Sequence, residues 1–177
     1  RFSGGEKMMQ NREKDSMEKV MLWPDTVPFS ENGDGFSPYM ETFLLETSVP
    51  LGALIILPGG GYMEKMISYE GRDVCKRFNE LGFHTFMLEY RVAPNRYPAQ
   101  LADAAQAVRL VRRNAEKWKI KPDKIAVLGF SSGGHLSASI CIHYELAESL
   151  IPDGKDGISA RPDAGIFCYT GLTSGKF

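Results

Sequence analysis

This chain lacks a charge of one sign. Its 177 residues carry 21 Lys and Arg against 22 Asp and Glu, a formal net charge of −1. Such a balance gives no global field for nucleic acid or for an anionic membrane surface. Long apolar runs are missing too: none approaches the roughly 20 residues needed to cross a bilayer. Cysteine is scarce, with Cys75, Cys141 and Cys168 making an odd three. No two stand at metal-ligand or CxxC spacing, which argues against a disulfide framework, a zinc site and a redox pair. Each lies in an apolar run, so buried free thiols and a reducing, cytoplasmic compartment are expected. No charged segment followed by an apolar stretch opens the sequence, so no signal peptide is visible. The chain opens on Arg1 and stops at Phe177 after loop-like residues, and both ends read as cut.

Hydrophobic residues are 43% of the chain and charged residues 24%, enough apolar material for a core and too much for wholesale disorder. Residues 1–18 are polar and non-periodic, and are expected to form a flexible lead-in. Val20–Trp23 and Tyr39–Glu46 read as strands. Between them Asn32-Gly33-Asp34-Gly35 reads as a turn; its acidic residue lacks the 12-residue pattern of a calcium loop. Ala53–Leu57 and Ile125–Leu128 are short, wholly apolar runs of the kind buried on both faces of a parallel sheet. Phe83–Glu89 and Ala164–Tyr169 are further strands.

Helical spacing appears from Glu70 to Leu81, and Gly82 follows as a stop. Leu101, Ala104, Ala105, Val108, Val111, Ala115 and Trp118 mark a second, longer helix. Its opposite face carries Arg109, Arg112, Arg113 and Lys117. That cluster is read as a solvated face rather than an anion site, because Glu116 and Asp123 lie close by. Pro122-Asp123 reads as a turn. A third helix is expected from Ser132 through about Ser149, and residues 152–162 as a loop holding Asp153 and Asp156. The alternation predicts an α/β fold with a mainly parallel sheet and helices on both faces.

Chemistry concentrates at Gly129-Phe130-Ser131-Ser132-Gly133, which fits G-x-S-x-G. The pattern is short, but an apolar strand enters it and an apolar-faced helix leaves it. In such a turn a serine is strained, with its hydroxyl projecting above the sheet, while flanking glycines let strand and helix pass closely. A glycine-rich turn with an incidental serine is the plainer alternative. A phosphate-binding loop would need a following Lys-Ser/Thr, which is absent. Gly59-Gly60-Gly61 directly follows Ala53–Leu57. Alone it fits a flexible turn equally well; with Ser131 it reads as the second half of an oxyanion hole.

Pro58–Tyr62, Leu88–Pro94, Tyr97-Pro98, Asp103 with Ala104–Arg112, and Gly129–Leu136 together resemble the α/β-hydrolase superfamily. Within it they resemble the bacterial esterase/lipase group that includes acetylxylan esterases and hormone-sensitive-lipase relatives. The match runs from about Val20 to Ser174. Pro58 stands where hormone-sensitive-lipase relatives carry His, and resembles the acetylxylan-esterase variant. The resemblance implies a three-layer α/β-hydrolase fold whose carboxyl-terminal part is missing, residues 19–177 being the amino-terminal part of one domain. It implies Ser131 as the nucleophile, and the N–H groups of Ser132, Gly60 and Gly61 as the oxyanion hole. It implies an acid and a histidine beyond Phe177.

Within the chain, His84 opens a strand, His135 lies four residues past Ser131, and His143 twelve past it. None is expected to reach the Ser131 hydroxyl. Asp153, Asp156 and Asp163 are read as loop residues. The expected activity is hydrolysis of small acyl or acetyl esters, some of them on sugars, with no metal, no cofactor, no nucleic acid and no membrane partner. A peptidase or amidase on the same fold would use the same residues. A non-catalytic binding module would keep the pocket without a working triad.

Overall fold

Apolar alternation sets the sheet. The computed structural model describes residues 18–31, 33–152 and 156–171; nearly all of the expected lead-in lies outside them. Six strands line up: β1 (Lys19–Met21), β2 (Tyr39–Phe43), β3 (Leu51–Leu57), β4 (His84–Glu89), β5 (Ile120–Phe130) and β6 (Ala164–Cys168). Their order across the sheet is β1-β2-β4-β3-β5-β6. The first two pairings are antiparallel, and β4, β3, β5 and β6 run parallel.

A parallel sheet needs cover on both faces, and β3 is apolar on both. Leu54 and Ile56 pack with Phe43, Cys75, Met87 and Leu128 on one side. Ile55 and Leu57 face Phe86, Val108, Val127 and Leu136 on the other. Burying each such side chain contributes about 1.5–3 kcal/mol. Helix α1 (Asp73–Glu80) covers the first face. Helices α2 (Ala99–Arg113), α3 (Ser132–Ile142) and α4 (Tyr144–Leu150) contribute the second, larger core, with Ala105, Val108, Leu136, Ile140 and Ala147 buried in it.

Several details depart from the sequence reading. The first helix begins as one wide turn, Ser68–Arg72, in which the N–H of Arg72 reaches the carbonyl of Ile67, five residues back, at 2.9 Å. The third helix breaks at His143, so two helices stand where one was expected. Pro122-Asp123 does not end a strand. It lies in a bulge of β5, because Leu51 pairs with Ile120 while Ala53 pairs with Ile125.

The cysteines are all unpaired, but only Cys75 is buried; Cys141 and Cys168 are half-buried. Burial pushes the Cys75 thiol up to about 12, which leaves it unreactive.

The expected basic face of the second helix is only partly solvated: Arg113 and Lys117 are exposed, whereas Arg109 is buried and Arg112 half-buried. Arg109 has a side chain 0% exposed and pairs with Asp156 at 2.5 Å, and Arg113 pairs with the same carboxylate. Arg112 donates to the carbonyls of Pro122, Ser159 and Arg161 and pairs with Asp163. These arginines therefore clamp the segment before β6 onto α2. Asp156 and Asp163 are loop residues, as expected, with the clamp as their role. Asp153 lies outside the described residues.

Candidate active site

Ser131 sits at the junction of β5 and α3 with φ 50° and ψ −117°. This is a sparsely populated region for any L residue, and holding it costs about 1–3 kcal/mol. The surroundings impose it. Leu57 of β3 is in register with Gly129 of β5. A Cβ on Gly129 would lie 2.1 Å from the Gly133 carbonyl oxygen, and one on Gly133 would lie 2.1 Å from that of Leu57. Both contacts are far inside van der Waals distance, so only glycine lets the strand turn this sharply into the helix. The N–H of Ser131 donates to the carbonyl of Cys168 at the end of β6, at 3.0 Å. Ser131 is half-buried and caps the amino end of α3, where the helix dipole is positive. Ser132 is buried, with a hydroxyl that has no hydrogen-bond partner among the described residues.

Gly133→Ala should be costly, because two backbone carbonyls, those of Leu57 and Pro58, already fill the space its methyl would take. Overpacking of this kind costs about 1–3 kcal/mol or more. Chemical denaturation should show it as a lower midpoint, and a midpoint equal to wild type would contradict the packing account.

The glycine loop follows β3 directly and lies against this elbow. A Cβ on Gly59 would lie 2.8 Å from the Phe130 carbonyl oxygen and 3.0 Å from the Ser131 Cβ. Gly60 and Gly61 both have positive φ, 138° and 64°. The carbonyl of Gly60 accepts the N–H groups of Met63 and Glu64, each at 3.1 Å, closing a tight turn. No hydrogen bond from the N–H of Gly60 or of Gly61 to another described residue is present. The loop thus meets the serine at Gly59, the residue just before Gly60 and Gly61.

A side chain at Gly60 would act first on the loop. Its Cβ would lie 2.2 Å from the Glu64 carbonyl oxygen, whereas a Cβ at Gly61 meets nothing within 4 Å. Gly60→Ala should therefore distort the loop and, on the reading proposed below, lower ester turnover by displacing its N–H groups. Gly61→Ala carries only the strain of its positive φ, about 1–2 kcal/mol. Equal effects of the two variants in one ester assay would sink this distinction.

No histidine among the described residues hydrogen-bonds to the Ser131 hydroxyl. His84 lies at the opposite end of the strands, level with Ala53; it is buried, and its Nδ1 accepts the N–H of Leu45 at 3.1 Å. Desolvation holds its imidazole below the ordinary value. His135 packs locally, as expected, with its Nδ1 2.9 Å from the Tyr62 hydroxyl. Burial, then Tyr90, pushes the Tyr62 phenol up, so it stays neutral. His143 is exposed at the helix break.

A cavity of about 440 Å³ lies along α3, lined by Tyr62, Tyr97, Leu101, His135, His143 and Leu146 among others; Ser131, Gly60 and Gly61 are not in its lining. Sequence reasoning passed over Tyr62 and Tyr97 as lining residues, since their rings meet α3 only in three dimensions. Among the described residues no cluster of three His, Cys, Asp or Glu is arranged to hold a metal ion, and no helix is long and apolar enough to cross a membrane.

The BD-FAE family model matches residues 44–151, well over half of the chain and all of the elements just described from β3 to α4. The chain belongs to the BD-FAE family. It is 31% identical over 160 residues to endo-1,4-beta-xylanase B of Butyrivibrio fibrisolvens, covering 88% of this chain and 25% of the relative. It is 34% identical over 116 residues to an acetylxylan esterase of Xylanibacter ruminicola, covering 65% of this chain and 23% of the relative. Among solved structures it superposes on the acetyl ester-xyloside bifunctional hydrolase of Caldicellulosiruptor lactoaceticus with a TM-score of 0.79 at 36% identity. That match covers 86% of this chain and 57% of the other. The chain thus spans about a quarter of the curated relatives and little more than half of the solved one. The fold is that of the α/β hydrolases.

Proposed function

We propose that this chain carries the nucleophile and the oxyanion hole of a serine esterase acting on small acyl esters. One observation carries the reading: Ser131 is held at a strained φ of 50° at the β5–α3 junction, against the glycine loop. Strain of this kind, retained where the surroundings enforce it, marks a functional position. The Ser131 Oγ attacks the ester carbonyl carbon, and its proton passes to a base. The C–O bond to the alcohol then breaks and the alcohol takes that proton. Water repeats the exchange on the acyl-enzyme and releases the acid. The N–H groups of Ser132, Gly60 and Gly61 stabilise the tetrahedral oxyanion. None of the three described histidines hydrogen-bonds to the Ser131 hydroxyl, which supports a base supplied by another residue of the complete protein.

The cavity of about 440 Å³ is lined by Tyr62, next to Gly61, and by His135, on the helix that Ser131 opens, and has room for a small ester. An acetyl ester on a sugar is the substrate class that the names of the acetylxylan esterase and of the bifunctional hydrolase support. The three unpaired thiols support a cytoplasmic setting. Reaction of the complete protein with a fluorophosphonate tests the assignment. Mass spectrometry should find the adduct on Ser131 alone, and stoichiometric modification elsewhere with Ser131 untouched would reject it.

A further inference from the structure

Glu70 ties the glycine loop to the chain just past β6. Its Oε2 accepts the N–H of Gly59 at 2.7 Å. Its Oε1 accepts the hydroxyl of Tyr169 at 2.5 Å. Tyr169 directly follows Cys168, whose carbonyl takes the N–H of Ser131, and its ring lies 5.7 Å from that of Phe130. The space a Cβ on Gly59 would fill lies 2.7 Å from Glu70 Oε2 and 3.0 Å from Ser131 Cβ. The carboxylate is therefore a close neighbour of the serine, reached through the glycine loop.

The backbone brings Glu70 there by an unusual route. It lies in the wide turn Ser68–Arg72, and such turns are rare and concentrate at functional sites. The next residue, Gly71, is buried; a Cβ on it would lie 2.5 Å from the Met87 sulfur and 3.4 Å from Pro58 Cγ. A side chain here would have to displace the buried Met87 thioether. Gly59 is then held from both sides, since its carbonyl accepts the N–H of Met66 at 2.9 Å while its N–H is held by Glu70. With that residue fixed, the peptide planes that follow it are fixed as well, and these carry the N–H groups of Gly60 and Gly61.

We propose that Glu70 is a positioning residue, whose bond to the Gly59 N–H sets the direction of the oxyanion donors. The proposal rests on the esterase reading above. It requires an acceptor at this position, not a negative charge. A donor set turned away from the developing oxyanion loses transition-state stabilisation while ground-state binding is kept. Misplacement by about 1 Å costs up to about 100-fold.

The experiment uses the complete protein with three substitutions. Glu70→Met keeps the length of the side chain without an acceptor. Glu70→Gln keeps one acceptor for the Gly59 N–H. Tyr169→Phe removes only the second partner. The substrate is an activated acetyl ester, and active sites are counted by fluorophosphonate labelling run to completion. The Met variant should label fully and keep its KM within about threefold, with kcat falling about 10–100-fold. The Gln variant should stay within about fivefold of wild type, and the Phe variant should match wild type.

A Met variant within twofold of wild type in kcat overturns the proposal. So does a loss confined to KM, or a Gln variant as impaired as the Met one, which would make the charge the agent. A Met variant that does not fold makes Glu70 a residue of the fold and overturns it too. Wild-type protein that fails to label at Ser131 rejects the esterase reading itself, a result distinct from all of these.

Discussion

Ser131→Ala should lower kcat for an activated acetyl ester by about 10⁶-fold, leaving the roughly 10³–10⁴-fold advantage over water that binding and an oxyanion hole alone provide. The serine hydroxyl is the group that forms the new bond, and no neighbouring side chain replaces it: Ser132 is buried, its hydroxyl lacking a partner among the described residues. The fold should not suffer. Alanine keeps the Cβ, and the φ of 50° is equally strained for both residues. Ser131→Gly should go further and stabilise the protein by about 1 kcal/mol, because glycine occupies that φ without penalty. Rising thermal stability with vanishing activity is the signature of a position strained for function. The measurement is ester hydrolysis beside a thermal melt, on the complete protein. Turnover within 100-fold of wild type in the alanine variant would remove Ser131 from the mechanism.

How much of this the sequence disclosed depended on the range of the interaction. The Ala53–Leu57 and Ile125–Leu128 runs are local patterns, and both lie in strands buried on two faces. The glycines of the elbow were legible because their spacing about Ser131 is local, although the contact that demands Gly133, with Leu57, is not. The arginine face of α2 was misread for the opposite reason. The carboxylate partners Asp156 and Asp163 lie more than 40 residues later, in a segment with no periodicity to announce it.

Pro122-Asp123 carried a turn signal that the sheet absorbed as a bulge. The break at His143 had no Gly or Pro to mark it. Glu70 gave no signal at all. In sequence it is one more acid near a helix start, and Gly71 beside it reads as a weak helix former rather than as a close contact with Met87. The role of both residues exists only once Pro58 and β4 are in place.

Asp103→Ala should cost about 3–5 kcal/mol of folding stability, a large share of the roughly 5–15 kcal/mol available to a domain. Asp103 and Arg91 are both 0% exposed. The Asp103 carboxylate accepts the Arg91 N–H at 3.0 Å, its Nε at 2.8 Å, its Nη2 at 2.7 Å and the Trp23 indole at 3.0 Å. Arg91 spends its other donors on the carbonyls of Pro28 at 2.5 Å and Ala99 at 3.2 Å. Burial pushes the Asp103 carboxyl up, and the arginine pulls it back. Removing the acid alone would leave a guanidinium without its counter-ion in the core. Replacing both residues by apolar ones, Arg91→Met with Asp103→Leu, should cost less than the single change, since no buried charge then remains.

Urea denaturation decides it. The single variant should lower the midpoint with an unchanged slope, and the double variant should recover part of the loss. A single-variant cost below 1 kcal/mol, or a double variant that costs as much as Asp103→Ala or more, would show that the pair is not coupled. The chemistry should follow only weakly. Arg91 lies two residues before Ala93, whose N–H holds the Tyr62 carbonyl at 2.8 Å just past the glycine loop. A folded Asp103→Ala protein should therefore lose less than about 10-fold in kcat, against the 10⁶-fold expected at Ser131.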